Sequence, residues 1–360
     1  MSQEEVYRAL ARRLDEIPNG FPPTESGAEL RLLERLFTPE EAALAVHLRL
    51  TPEPAGEIAR RSGTDPAATA ALLKGMARRG LIRAARGEGE LHFGLLPFVV
   101  GFYEEQGSRL DAELAGLVEA YLREAIPAVV GTAPALQRVI PVEQALPVDV
   151  EVLPYESASA LLDQAAAWGV TDCICRKQKG LLGQACDRPL DVCMALSKTP
   201  GVFDSLPTVR ALTREEAGET LRRAAAAGLV PSTRNTQGGV WYICNCCPCC
   251  CGVLRGVTEF GIAGSVAHSA FWAAVDQALC TGCQACLERC SFGALGVEDG
   301  VAAVDRERCL GCGLCTTECP SGALRLERRP AEETLAVPPD MDAWWQARAQ
   351  SRGLDLGAIL

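Results

Sequence analysis

Eighteen cysteines provide most of the chemistry open to this chain of 360 residues, and all of them lie between Cys173 and Cys319. Eight stand in two runs that share the spacing C-x2-C-x2-C-x3-C. The first run is Cys280, Cys283, Cys286 and Cys290, and the second is Cys309, Cys312, Cys315 and Cys319. Thiols at short, fixed spacings in a reducing compartment bind metal more often than they form disulfides.

The two runs resemble those of bacterial ferredoxins that carry two [4Fe–4S] clusters, including the proline at Pro320. The resemblance covers about residues 271–328. Three thiolates on a tight loop hold one cubane, and the fourth thiolate of each run reaches the other. One cluster is therefore expected on Cys280, Cys283, Cys286 and Cys319, and the other on Cys309, Cys312, Cys315 and Cys290.

Small residues between the ligands favour this interpretation. Gly282, Gly311 and Gly313 allow backbone amides to approach a cluster. Ser291 stands where the first run usually has proline, which affects the rigidity of the turn rather than the ligation. Structural zinc is the alternative, but it favours separate C-x2-C pairs. Four cysteines for each cluster leave no open iron, so these clusters are expected to move single electrons.

Ten further cysteines form a second set. They are Cys173, Cys175, Cys186, Cys193, Cys244, Cys246, Cys247, Cys249, Cys250 and Cys251. The segments Cys173–Lys177 and Ile243–Cys247 resemble a group of multi-cluster ferredoxin-like iron–sulfur proteins, which implies electron transfer. In an extended run, alternate thiols face opposite sides.

One or two further [4Fe–4S] clusters are expected on this second set. The preferred ligands of one are Cys173, Cys175, Cys186 and Cys193, while residues 244–251 bind another cluster or complete the first. Arg176 and Lys177 would offset the thiolate charge. Structural zinc and a redox-active dithiol remain the alternatives.

The elements before the cysteines are predicted to be mainly helical. Residues 28–50 read as helices with a break at Thr38-Pro39. Asp65 and Pro66 begin a further helix that runs to Arg79, and a hairpin follows over 81–93. Helix, turn, helix and hairpin are the order of winged helix–turn–helix domains, which residues 28–95 resemble. A last helix is expected from Tyr103 to Ala125.

The predicted fold class is α+β. Residues 1–125 form a winged-helix-like docking or dimerisation domain, and 126–155 form a linker with strands at Gln137–Ile140 and Val148–Val152. Residues 156–270 form a cysteine-rich domain with helices at Ser157–Trp168 and Thr213–Ala227. Residues 271–328 are the ferredoxin domain, and 329–360 are a tail with a short helix near Trp344.

The charge of the N-terminal region makes protein docking the preferred role over DNA binding. Residues 1–110 hold 14 basic and 16 acidic side chains, a net charge of −2. Stable DNA binding usually needs a concentrated basic face. The candidate recognition helix carries Lys74, Arg78 and Arg79 but many alanines, which offer little for reading bases.

Composition sets the remaining expectations. The net charge is −11, and no apolar run is long enough to span a membrane. The N-terminal residues lack a secretory pattern, so a cytoplasmic protein without membrane insertion is expected. No dinucleotide fingerprint or P-loop is present, so neither flavin nor NAD is expected.

The leading functional hypothesis is an iron–sulfur electron carrier or subunit of a redox complex. It would pass low-potential electrons to a partner oxidoreductase in anaerobic metabolism, and the N-terminal domain would support docking or a homodimer. The alternative is a redox- or oxygen-sensing transcription regulator that uses the winged helix. A third hypothesis is an oxidoreductase with an incompletely ligated cluster in the middle domain.

Overall fold

A computed structural model describes residues 2–87, 89–147 and 149–360. It divides the chain into two compact units. The first unit comprises Met1–Ala133, Gln178–Gln184 and Trp345–Leu360, and the second comprises Pro134–Lys177 and Ala185–Trp344. Both units contain helices and antiparallel strand pairs, so the chain is a mixed helix-and-strand protein.

The first unit is mainly helical and carries a small sheet. Its elements in chain order are α1 (Gln3–Asp15), α2 (Ala28–Leu36), α3 (Pro39–Ala45), β1 (Glu53–Pro54), α4 (Ala55–Ser62), α5 (Pro66–Arg78), β2 (Ile82–Arg86), β3 (Leu91–Leu95) and α6 (Ala112–Val130). The three strands pair in the order β1-β3-β2.

Capping side chains set the ends of these helices. Thr38 and Glu41 form a capping box at the start of α3, and the carboxylate of Asp65 accepts a hydrogen bond from the amide of Ala68 in α5. The helix expected from Tyr103 begins later, because Asp111 caps α6 and accepts from the amide of Leu114 at 2.8 Å. Before α6, the chain runs through a strand, two helices and a hairpin, which are β1, α4, α5 and the β2–β3 pair.

The second unit is built on a six-stranded antiparallel sheet. The elements are β4 (Gln137–Val139), α7 (Ala158–Asp163), β5 (Ala167–Asp172), α8 (Ile174–Leu181), β6 (Asp191–Ser197), β7 (Arg210–Leu212), α9 (Arg214–Ala226), β8 (Val230–Arg234), β9 (Tyr242–Cys246) and α10 (Gly252–Thr258). Helix α8 belongs to the first unit from Gln178 onward. The six strands lie in the order β4-β8-β9-β6-β5-β7.

Helices α7 and α9 cover this sheet with an apolar core. Leu161 and Leu162 of α7 and Ala217 of α9 pack with Met194 and Ile243 from the central strands β6 and β9. The strands that carry cysteines are therefore held at the centre of the sheet, where their register is fixed by burial.

Two segments differ from the sequence expectation. Residues 126–155 include the last turn of α6 and β4, which pairs with β8. Val148 of the predicted strand lies outside the described residues, and 149–152 form no strand. The helix expected to reach Trp168 ends at Asp163, because Trp168 belongs to β5 and pairs there with Leu196.

The last part of the second unit contains the two runs of four cysteines. Its elements are β10 (Phe271–Val275), α11 (Ala285–Arg289), β11 (Leu295–Glu298), β12 (Val301–Val304), β13 (Leu324–Arg328) and the start of α12 (Met341–Arg352), which belongs to the first unit from Trp345 onward. Strand β10 pairs with β13, and β11 pairs with β12. Within the described parts of the chain, no helix combines the length and the apolar character needed to cross a bilayer.

Specific hydrogen bonds fasten this segment to the six-stranded sheet region. The amide of Val142 donates to the carbonyl of Cys312 at 2.9 Å, and the guanidinium of Arg289 donates to the carbonyl of Ala225 at 2.7 Å. Within the segment itself, Arg329 is buried and donates to the carbonyl of Phe271 on β10 at 3.0 Å. The backbone around the cysteines is thus held by contacts on several sides.

The capping box of α9 offers a test of this core. Thr213→Ala removes the oxygen that accepts from the amide of Glu216 at 3.1 Å, so it should lower the free energy of unfolding by ~1 kcal/mol. Amide hydrogen exchange in the first turn of α9 should become faster. Thr213→Ser keeps the acceptor and serves as the control. Equal exchange in both variants would show that the cap does not stabilise α9.

Candidate metal centres

One group of four cysteines lines a recess of about 370 Å³ beside α11. The thiols are those of Cys280, Cys283, Cys286 and Cys319. Three come from the first run, and the fourth comes from the end of the second. Cys283 is exposed, so this recess opens to the surface.

A second group lines a recess of about 460 Å³. Its thiols are those of Cys290, Cys309, Cys312 and Cys315. Here the second run contributes three thiols and the first run contributes its last. Helix α11 contributes to both recesses, since Cys286 on it lines the first and Cys290 directly after it lines the second. The eight thiols are therefore brought together in the two crossed groups expected from their spacing.

Backbone amides in both recesses donate hydrogen bonds to sulfur. The amide of Ala302 lies 3.3 Å from the sulfur of Cys280, and the amide of Ala273 lies 3.4 Å from that of Cys309. Bonds of this kind stabilise anionic thiolates and tune the potentials of iron–sulfur clusters. The surroundings therefore fit thiolate ligands.

Two glycines allow the ligand loops to approach their neighbours closely. Gly311 has φ +71°, and a Cβ placed there would stand 2.0 Å from the carbonyl oxygen of Phe271. Gly282 has φ +67°, and its Cβ would stand 2.3 Å from the carbonyl oxygen of Gly300. Both positions require glycine because of backbone conformation and space.

Burial raises the pKa values of these thiols, whereas hydrogen bonds to sulfur lower them. Burial raises the pKa of Cys312 to about 12 and raises that of Cys315 as well. Burial also acts to raise the pKa of Cys319, but hydrogen bonds from Ser321 and from nearby backbone amides lower it overall. A bound cation would be needed to hold the buried thiols as thiolates at neutral pH.

Six of the other ten cysteines form a ring of thiols, which we call the six-thiol ring. The interactions that set the pKa of each thiol link it to two others, in the order Cys173, Cys175, Cys251, Cys246, Cys244, Cys193 and back to Cys173. The ring lies where central strands of the sheet end. Cys193 lies on β6, Cys244 and Cys246 lie on β9, and Cys173 directly follows β5.

Strand alternation explains two of these positions. Cys244 and Cys246 are two residues apart on β9 and point to the same face, whereas Ile243 packs in the core. The side-chain amide of Asn245 donates to the backbone carbonyl of Val192 at 2.7 Å and fixes β9 beside β6. Cys246 and Cys251, which flank the turn after β9, both belong to the six-thiol ring.

Polar side chains from neighbouring strands reach this ring. Gln137 of β4 and Ser232 of β8 are buried, at 3% and 0% exposure. The Gln137 amide lies 3.9 Å from the sulfur of Cys244, and the Ser232 hydroxyl lies 3.6 Å from that of Cys246. The spacing of the cysteines does not predict either contact, because both depend on the order of β4, β8 and β9 in the sheet.

Hydrogen bonding lowers the pKa of two thiols in the ring. Hydrogen bonds from Cys175 and Cys193 hold the pKa of Cys173 well below its ordinary value. Hydrogen bonds from Cys175 and Cys246 do the same for Cys251. The donating thiols have raised pKa values; for Cys175 the first cause is its hydrogen bond to Cys173. Cys173 and Cys251 are thus the two ring thiols that release a proton most readily.

The remaining four cysteines form a separate, compact group, which we call the four-thiol site. Its members are Cys186, Cys247, Cys249 and Cys250, and their sulfurs all lie within 4.8 Å of one another. Cys186 comes from the loop after α8, and the other three come from the turn between β9 and α10. Cys249 is exposed and Cys247 and Cys250 are buried.

Two arginines contact the four-thiol site. Arg176 donates to the sulfur of Cys247 at 3.8 Å and to the carbonyl of Asn245 at 3.0 Å, and Arg188 donates to the sulfur of Cys249 at 3.7 Å. Burial acts to lower the pKa of Arg176, but Cys173 and Cys193 of the ring raise it overall. Arg176 thus faces both sets of thiols.

This division differs from the grouping preferred on sequence. Cys186 lies with Cys247, Cys249 and Cys250 instead of with Cys173, Cys175 and Cys193. Arg176 does face thiols as expected, but Lys177 lies 3.7 Å from the carboxylate of Asp172. The arginine at 188 was missed because its position depends on the loop that returns after α8.

Comparison with known families supports the interpretation of the two runs. A family model described as a 4Fe–4S dicluster domain matches residues 279–323. Comparisons with curated proteins and with solved structures found no match to the chain. The matched segment binds 4Fe–4S clusters, and its cysteines are those that line the two recesses.

Gly311 provides a test of the recess lined by Cys309, Cys312 and Cys315. Gly311→Ala should displace the ligand loop, because the added carbon would collide with Phe271. We expect about half of the iron of the 279–323 segment to be lost, measured as iron and sulfide per chain. Gly296→Ala is the control, since nothing lies within 4 Å of a Cβ at that position. Full iron content in both variants would contradict the close approach.

Proposed function

We propose that this protein is an iron–sulfur electron-transfer protein, either a carrier or a subunit of a redox complex. The observation that carries the proposal is the pair of adjacent recesses, each lined by four cysteines and crossed between the two runs. When bound there, [4Fe–4S] clusters accept and donate single electrons. Cys280, Cys283, Cys286 and Cys319 would hold one cluster, and Cys290, Cys309, Cys312 and Cys315 the other.

The recess that contains Cys283 is the better candidate for exchange with a partner. Cys283 is exposed, and Val297 on the same recess and neighbouring Leu279 are 39% and 51% exposed. Exposed apolar side chains around a redox centre suit short-lived contact with another protein. We propose a partner oxidoreductase that docks on this side.

The other recess faces the sheet. Val142 holds the backbone of Cys312 by a hydrogen bond of 2.9 Å, and Gln137 contacts Cys244 of the six-thiol ring. Five residue steps separate Gln137 from Val142, so their Cα atoms are at most about 18 Å apart. A short covalent and hydrogen-bonded path therefore links this recess to the ring.

We propose that the six-thiol ring holds a further iron–sulfur cluster. The ring thiols do not gather within 4.8 Å of one another as the ligands of a single zinc ion would, among the residues that the structure describes. Hydrogen bonds also hold the pKa values of Cys173 and Cys251 below the ordinary value of a thiol, which suits metal ligands. Gln137 and Ser232 supply hydrogen bonds to sulfur, as protein donors around iron–sulfur clusters do. Together the three sites would form one path for electrons.

Iron analysis with EPR tests this proposal. Full chain purified without oxygen should contain about twelve irons, and reduction should produce signals from interacting [4Fe–4S] clusters. Cys173→Ser should lower iron to about eight and leave the signals of the 279–323 segment in place. Cys290→Ser should alter those signals and spare the ring.

Ligand binding by the clusters would argue for a different role. Fully thiolate-ligated clusters should take up and release electrons reversibly, without binding cyanide or carbon monoxide. Binding of either ligand, or turnover of a small reducible substrate, would indicate an open iron and an enzyme. If the unaltered chain contains only about eight irons, the ring holds no cluster, and the proposal is reduced to the two clusters of the 279–323 segment.

We further propose that residues 53–95 form a winged-helix-like module used for protein docking or dimerisation. The outward face of α5 is formed mainly by Ala67, Ala68 and Ala71, with Lys74 and Arg78 as its charged residues. Arg79 pairs with Glu41 and so contributes no free charge to this face. Small uncharged side chains suit contact with protein better than readout of base edges.

DNA binding by this module is therefore expected to be negligible. Fluorescence anisotropy with mixed duplex fragments at physiological salt should show no binding in either redox state. Lys74→Glu with Arg78→Glu serves as the comparison and should behave like the unaltered chain. Binding that weakens steeply with salt and disappears in the double variant would establish a nucleic-acid interface.

A further inference from the structure

The spacing of the four-thiol site points to a single metal ion. All four sulfurs lie within 4.8 Å of one another, with 3.7 Å between Cys249 and Cys250 and 3.8 Å between Cys250 and Cys186. Zinc–sulfur bonds of about 2.3 Å in a tetrahedron place neighbouring sulfurs about 3.8 Å apart. The thiols therefore stand at the separation that one tetrahedral ion requires.

A cubane requires a wider arrangement. Each thiolate of a [4Fe–4S] cluster is bound to a different iron, so the sulfurs stand around a four-iron core instead of one ion. The thiols of the two recesses in the 279–323 segment show the difference. Among the residues that the structure describes, they do not gather within 4.8 Å as the four-thiol site does.

The charges around the site match four thiolates with a divalent ion. Four thiolates and one divalent cation leave a net charge of −2. Arg176 and Arg188 each donate to one of the sulfurs and together supply two positive charges. Such partners orient and stabilise metal ligands. Arg176 is 3% exposed, which makes an uncompensated charge there costly.

The local backbone explains how the four thiols converge. Cys247 begins a turn with Pro248 in its second position, and its carbonyl accepts from the amides of Cys250 at 3.3 Å and Cys251 at 3.0 Å. The turn brings three thiols to one side. Cys186 reaches them from a loop about 60 residues earlier in the chain.

We propose that Cys186, Cys247, Cys249 and Cys250 bind one structural zinc ion, separate from the iron–sulfur clusters. Four protein thiolates close the coordination sphere and leave no position for a substrate. Zinc binds a given thiolate site more tightly than ferrous iron does. The ion ties the 186 loop to the turn, whose flanking residues Cys246 and Cys251 enter the six-thiol ring. Its role is thus to hold that ring in shape.

Metal analysis of the full chain, purified anaerobically, tests the assignment. We expect one zinc per chain together with the iron. Cys249→Ser, at the exposed edge of the site, should reduce zinc at least tenfold and leave the iron of the 279–323 segment unchanged. Cys249→His should retain zinc, because three cysteines and one histidine also bind it. Cys283→Ser is the matched control, an exposed cysteine whose loss should affect iron and not zinc.

Cobalt provides a second readout that does not depend on the serine variant folding. Growth with Co²⁺ should give the intense thiolate-to-metal absorption of a tetrahedral four-sulfur site, and Cys249→His should shift it. Absence of zinc, with about four irons lost in Cys249→Ser, would assign a cubane and overturn the proposal. Retention of zinc in Cys249→Ser, or one iron in its place, would overturn it equally. Because zinc and iron are counted separately, failure here is distinguishable from failure of the electron-transfer proposal.

Discussion

The free-energy cost of burying several thiolates close together is the main constraint on the second unit. A buried thiol prefers to stay protonated, as the raised pKa values of Cys312 and Cys315 show, yet metals bind the thiolate. The chain offsets that cost in three ways. It directs backbone amides at sulfur in the two recesses, it shares protons around the six-thiol ring, and it brings two arginines to the four-thiol site.

The six-stranded sheet makes these arrangements possible. Central strands β6 and β9 deliver Cys193, Cys244 and Cys246 to one end, where burial of their other residues fixes the register. Rigid elements hold ligands more accurately than free loops do. Bonds from Val142 and Arg289 extend that rigidity to the 279–323 segment. The cysteines of the second unit are thus placed by neighbouring apolar clusters: the ring thiols on β6 and β9 flank the core under α7 and α9, whereas the recess thiols Cys286, Cys309 and Cys315 belong to a cluster with Trp272 and Leu324.

Regular local signals made much of this predictable. The spacing of the eight cysteines, the capping box at Thr213 and the alternation of Cys244 and Cys246 each follow from a short stretch of sequence. The grouping of Cys186 with the cysteines of the turn after β9 was not predictable, because that turn lies about 60 residues later in the chain. The contact of Gln137 with Cys244 likewise depends on strand order. The start of α6 was placed too early, because the apolar pattern before Asp111 does not distinguish a helix from the irregular turns present there.

Each recess takes one of its four thiols from the other run of cysteines, and this crossing constrains the order of events during synthesis. The first recess receives its fourth thiol from Cys319, so it has only three until the second run has left the ribosome. The second recess needs Cys290 from the earlier run. Neither recess takes all four thiols from one run, so both recesses are complete only once the whole segment has been made. The two runs are also bound together in evolution, since a chain that loses one run leaves the recess of the other without its fourth thiol.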